Sequence, residues 1–122
     1  MAKRILVIDD EPDILALATI RLKKSGYEIV EAVDAEEALV SLQKETPDLI
    51  LLDLLLPKMQ GDELCKKLKS DQKYKHIPII LFTASAMRAS LPDDVKAMGA
   101  DDCILKPFNP DELISKVKKI IG

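Results

Sequence analysis

Short runs of consecutive apolar residues alternate along this chain with longer stretches in which apolar positions recur every three or four residues. The alternation returns about every 24 residues, the rhythm of linked strand–helix units. The first run, Arg4 to Ile8, reads as a strand. Pro12 then opens a helix whose inward positions are Ile14, Leu15, Ala18 and Leu22, and Ser25-Gly26 closes it. A weaker strand covers Glu28 to Ala32. The next helix, from Ala35 to about Lys44, turns Ala38, Leu39 and Leu42 inward and stops before Pro47. Leu49 to Leu52 is apolar at every position, as expected of a strand covered on both faces.

Beyond Pro57 and Gly61 a helix to about Ser70 presents Leu64, Cys65 and Leu68, and Ile79 to Phe82 forms a fourth strand. The Ala/Ser-rich stretch after Thr83 is weakly patterned. Ser90-Leu91-Pro92-Asp93 marks a late, short helix that Gly99 ends. A fifth strand spans about Asp102 to Leu105, and Asn109-Pro110-Asp111-Glu112 opens the last helix with a cap, a proline in the first turn and acidic residues at the positive end of the dipole. Strands alternating with helices specify an α/β fold around a parallel sheet.

Composition narrows the function. At 122 residues with 48% hydrophobic positions, the chain has the material for one core, so a single domain over 1–122 is expected, with no linker or output domain inside it. It holds no apolar run of about 18 residues, which argues against membrane insertion, and its start turns acidic before a signal-peptide core can develop; a cytoplasmic protein is expected. The 21 acidic and 18 basic residues are mixed along the sequence, leaving no basic stripe, so direct nucleic-acid binding by this chain is not expected. Cys65 and Cys103 lack metal or redox spacing and read as buried, reduced thiols. His76, the one histidine, sits in a polar connection and reads as a surface residue.

In an open parallel sheet, ligands bind beyond the carboxyl ends of the strands. Asp9 and Asp10 follow strand one, Asp53 strand three, Thr83 strand four and Lys106 strand five. Three carboxylates gathered at one sheet edge repel one another unless a cation sits among them. Oxygen-only ligation with room for water favours Mg2+. A hydroxyl and an ammonium opposite such an ion suit the oxygens of a phosphoryl group attached to Asp53. Singly, each residue has an ordinary reading: helix capping for Asp9-Asp10, loop opening for Asp53, a strand-end hydroxyl for Thr83, a solvated cation for Lys106. Four strand ends delivering complementary chemistry to one place outweigh those readings.

The segments Val7-Ile8-Asp9-Asp10-Glu11, Leu51 to Pro57 with Gly61, Ile80-Leu81-Phe82-Thr83-Ala84, and Gly99-Ala100-Asp101-Asp102 leading to Leu105-Lys106-Pro107-Phe108 resemble the response-regulator receiver domains of two-component signalling, over essentially the whole chain. The resemblance implies a flavodoxin-like, doubly wound five-stranded sheet of order 2-1-3-4-5. It implies phosphorylation of Asp53 by a sensor histidine kinase or phosphotransfer protein. It further implies Mg2+ held by Asp9, Asp10, Asp53 and the backbone carbonyl of Leu55, and phosphoryl oxygens received by Thr83 and the amide of Ala84. Lys106 pairs with the phosphate in this reading, and the Lys106-Pro107 peptide is cis. Such a domain is a switch acting on an unknown downstream protein, catalysing only its own phosphorylation and slow dephosphorylation.

One departure is Cys103, where many receivers carry an aromatic residue three positions before the lysine. A thiol side chain is too small to vacate and refill the space of a ring, which moves the expected output to the backbone of residues 84–91 and the short helix after Pro92. Rival readings are weaker. An FMN binder needs hydroxyls and exposed amides after strand one, where Asp9-Asp10-Glu11 repels phosphate. A phosphatase of the haloacid dehalogenase type resembles its relatives in a second Asp two positions after the nucleophile, and Leu55 stands there. A receiver-like docking module that no longer uses phosphorylation would have lost a site residue, and none is lost.

Overall fold

The computed structural model describes residues 2–54, 56, 61–83, 99–106 and 108–122, with backbone alone at 62 and 83. The expected helix after Pro92, the 84–91 segment, Leu55, Ala84 and the Lys106-Pro107 peptide lie outside these residues. The described elements are β1 (Arg4–Ile8), α1 (Pro12–Lys24), β2 (Glu28–Ala32), α2 (Ala35–Lys44), β3 (Leu49–Asp53), α3 (Gly61–Lys69), β4 (Ile79–Thr83), β5 (Asp102–Leu105) and α4 (Pro110–Ile121). All strand pairs are parallel, in the order β2-β1-β3-β4-β5, so the expected topology holds.

Alternation along the central strands sends side chains to two separate cores, one on each face of the sheet. Leu6, Ile8, Ile50, Leu52, Ile79 and Leu81 pack with Ala38 and Leu42 of α2 and with Leu64, Cys65 and Leu68 of α3. Ile5, Val7, Leu49, Leu51, Ile80 and Phe82 pack with Leu15, Ala18 and Leu22 of α1 and with Leu113 and Val117 of α4. Burial on both faces is why β3 reads as an unbroken apolar run.

Local chemistry sets the helix ends. The α1 terminus is a Schellman turn: the Gly26 amide donates to the Lys23 carbonyl at 3.0 Å and the Tyr27 amide to the Leu22 carbonyl at 3.2 Å. Gly26 takes φ +96°, a conformation that any side chain would strain. Asp34 caps α2 by accepting from the Glu37 amide at 2.8 Å, a contact worth about 1 kcal/mol. Asn109 caps α4 as expected, through the Asp111 amide.

Two strands run one residue further than the apolar runs suggest. Asp53 pairs with Phe82, and Thr83 pairs with Leu105. The ladder is made by the backbone, so it continues past the point where side-chain hydrophobicity stops. Cys103 also departs from expectation: it is half-buried, because β5 is an edge strand, whereas Cys65 is fully buried; neither forms a disulfide.

Candidate functional site

The carboxyl ends of β1, β3 and β5 bring Asp9, Asp53 and Lys106 together as expected. The Asp9 amide donates to the Ala32 carbonyl at 3.0 Å, and the Leu54 amide to the Phe82 carbonyl at 3.0 Å, which ties down the chain beside both aspartates. Asp9 is fully buried and Asp53 is 3% exposed, the two buried charged residues among the described ones. Asp10 is exposed. A ligand oxygen from each of Asp9, Asp10 and Asp53 lies within 4.8 Å of the others.

Gly61 is required by this geometry. Its amide donates to the Leu54 carbonyl at 2.9 Å, and a Cβ placed on it would stand 2.6 Å from the Leu54 Cα and also collide with the Asp53 carbonyl. The start of α3 is therefore held flush against the end of β3.

Lys106 supplies the positive charge. Its ammonium lies 2.7 Å from Asp9 Oδ2, 3.2 Å from Asp53 Oδ2 and 2.8 Å from Glu11 Oε1, and its side chain is 8% exposed. Burial alone lowers the lysine pKa, but contact with Asp9 and Glu11 and the nearby Asp53 charge outweigh it, and the net shift is upward. The ammonium stays protonated throughout the physiological range.

The donor set fits a hard divalent cation. Asp9 Oδ1 accepts from the Glu11 amide at 2.9 Å, whereas the buried Oδ2 has no well-formed hydrogen bond among the described residues and makes an ion contact with Lys106. A buried carboxylate oxygen left in that condition, on a residue grouped with two further carboxylates, has the character of a Mg2+ ligand.

Thr83 ends β4 in register with Leu105, beside Lys106 in the chain. Leu55 and Ala84 are not among the described residues. The sequence reading gave no role to Glu11 or Phe108. Glu11 is visible only as the third acid of Asp9-Asp10-Glu11, and Phe108 only as the aromatic after Lys106-Pro107; their partners are remote in sequence.

The family model described as the response regulator receiver domain matches residues 5–118. The chain belongs to the response regulator receiver domain family. The alkaline phosphatase synthesis transcriptional regulatory protein PhoP of Bacillus subtilis is 43% identical over 121 residues, which are 99% of this receiver domain and 49% of that protein. A putative response regulator from Chloroflexus aurantiacus superposes with a TM-score of 0.91 at 34% identity, covering 98% of both chains. The response regulator TrrA of Thermotoga maritima, solved in complex with Mg2+-BeF, is 41% identical with a TM-score of 0.84, covering 97% of this chain and 98% of that one.

This receiver domain spans about half the length of the curated relatives it matches. Some of them are named as transcriptional or DNA-binding regulators. The expectation of no direct nucleic-acid contact is thereby narrowed: it concerns these 122 residues and does not extend to a longer protein containing them. No helix among the described residues is long and apolar enough to cross a membrane.

Proposed function

We propose that Asp53 accepts a phosphoryl group, in a reaction that depends on Mg2+, from the phosphohistidine of a sensor histidine kinase or phosphotransfer protein. A downstream protein then reads the changed surface. The observation that supports this most directly is the buried Asp53 carboxylate at a strand end, within 4.8 Å of Asp9 and Asp10 oxygens and 3.2 Å from the Lys106 ammonium.

An Asp53 oxygen attacks phosphorus as the P–N bond of the phosphohistidine breaks, and the bonding electrons return to the imidazole nitrogen. The product is an acyl phosphate. Asp9 and Asp10 would hold a divalent cation, with the Leu55 carbonyl as a further ligand, and the ion would supply charge that offsets the carboxylates. Lys106, Thr83 and the Ala84 amide would receive phosphoryl oxygens. Attack by water at phosphorus later returns the carboxylate and inorganic phosphate. With Leu55 where a phosphatase of the haloacid dehalogenase type has its acid/base, turnover on small phosphate esters is negligible. The domain thus acts as a switch whose catalysis is confined to its own phosphorylation and dephosphorylation.

Intact mass after incubation with acetyl phosphate and Mg2+ tests the reading. The expected result is one added phosphoryl group, lost on treatment with hydroxylamine, prevented by EDTA and absent from Asp53→Ala. Undiminished labelling of Asp53→Ala overturns it.

A further inference from the structure

Glu11 occupies the N-cap position of α1, yet its side chain makes no cap hydrogen bond. The residue types that cap well there are short, because a long side chain does not curl back readily onto the amides of the first turn. The Glu11 amide is anchored by Asp9 Oδ1 at 2.9 Å, and its carboxylate reaches away from the helix to the Lys106 ammonium at 2.8 Å. A helix-entry residue is thus committed, at both its ends, to the two groups that face each other across the site.

The Lys106 ammonium now stands where it conflicts with a metal. It lies 2.7 Å from Asp9 Oδ2, the oxygen that has no well-formed hydrogen bond among the described residues. An ammonium and a divalent cation cannot share that oxygen at such distances without strong repulsion. Cation entry therefore requires Lys106 to leave Asp9, and the cost depends on which remaining partners hold the ammonium more tightly once it has left. Glu11, exposed on the rim with 59% of its side chain in solvent, is the partner free to follow it.

We propose that Glu11 is a positioning residue: its contact with Lys106, already made at 2.8 Å, strengthens when Asp9 yields its oxygen to the cation and stops competing for the ammonium, and that gain lowers the energetic penalty that Lys106 imposes on metal binding. The inference rests on the phosphoacceptor reading and assigns a regulating contact to that same site. A rim carboxylate also attracts a cation through its field alone, and the two effects differ in one respect: the strengthened contact works only through Lys106.

The test titrates MgCl2 into 15N-labelled full chain and follows amide shifts of residues near Asp9 and Asp53. Wild type, Glu11→Gln, Glu11→Asp, Lys106→Met and the Glu11→Gln/Lys106→Met double variant are compared. Glu11→Gln should weaken Mg2+ binding about three- to fivefold in the wild-type background, the scale of a partly exposed charge contact. The same substitution should change affinity by less than about twofold once Lys106 is methionine, because the coupling partner is gone. Glu11→Asp keeps the charge but is one methylene shorter, so it should restore little.

Equal weakening in both backgrounds, or full recovery by Glu11→Asp, overturns the assignment and leaves a simple field effect. Acetyl phosphate labelling of the same samples separates the two levels. Mg2+-dependent labelling of Asp53 alongside background-independent Glu11 effects overturns this inference alone, whereas a wild type that neither binds Mg2+ nor becomes labelled overturns the phosphoacceptor reading and this inference with it.

Discussion

Phe108 lies flat against Phe82, with ring centroids 5.3 Å apart and planes 7° from parallel. Phe82 is the β4 residue paired with Asp53, and Phe108 comes two positions after Lys106, so one aromatic contact joins the strand beside Asp53 to the segment that carries the ammonium. Phe108→Ala should destabilise the domain by about 3–5 kcal/mol through lost burial and a residual cavity. Urea unfolding measures this, and a loss under about 1 kcal/mol would show that this segment is held by other contacts.

Gly61→Ala places a methyl group against the Leu54 backbone and the Asp53 carbonyl, where no flexible side chain can yield. We expect a loss of about 1–3 kcal/mol in urea unfolding together with slower acetyl phosphate labelling, because the end of β3 must shift. Unaltered stability and labelling would mean that α3 moves away from β3 at little cost.

Lys106→Met leaves Asp9 and Asp53 buried without their cation. In EDTA the variant should lose about 3 kcal/mol, the scale for an orphaned buried charge. Mg2+ should then raise the unfolding midpoint of Lys106→Met more than that of wild type, since the ion replaces the missing positive charge and meets no competing ammonium. Equal Mg2+ responses would contradict the competition between ion and lysine.

Tyr27 packs beside Leu22 in the core under α1, with its hydroxyl buried and lacking a hydrogen-bond partner among the described residues. Burial raises its pKa above the ordinary 10.0. The folded state therefore resists deprotonation, and the resulting stability is present below the unfolded pKa and is lost as pH rises through the folded one. Tyr27→Phe should be neutral or stabilising at pH 7, and it should flatten the decline of stability above about pH 10. A loss above about 1 kcal/mol at pH 7 would reveal a hydrogen bond made by the hydroxyl in solution.

The Cys103 thiol is pushed up by burial; Lys116 opposes this, while Asp102 and Glu112 add to it. Alkylation by iodoacetamide at pH 8 should accordingly be slower for the folded chain than for the same chain in urea, with Cys65 slower still. Faster labelling of Cys103 in the folded state would show that Lys116 dominates.

The sequence by itself determined the order and kind of the described elements. The central strands are unbroken apolar runs, the helices repeat their apolar positions near every 3.6 residues, and Pro12, Gly26, Asn109 and Pro110 punctuate the helix ends with local chemistry. It also brought Asp9, Asp10, Asp53, Thr83 and Lys106 to one edge, because in a parallel sheet every strand end points the same way. What tertiary structure alone decided is how those residues meet. The three-way contact of Lys106, which includes the buried Asp9 Oδ2, the ring stack of Phe82 on Phe108 and the closeness of Gly61 to Asp53 join positions far apart in the chain. No residue pattern encodes such distances. They follow from the register of parallel strands and the seating of helices on two cores, and that register also carried β3 and β4 one residue beyond their apolar runs and left Cys103 half-covered at an edge.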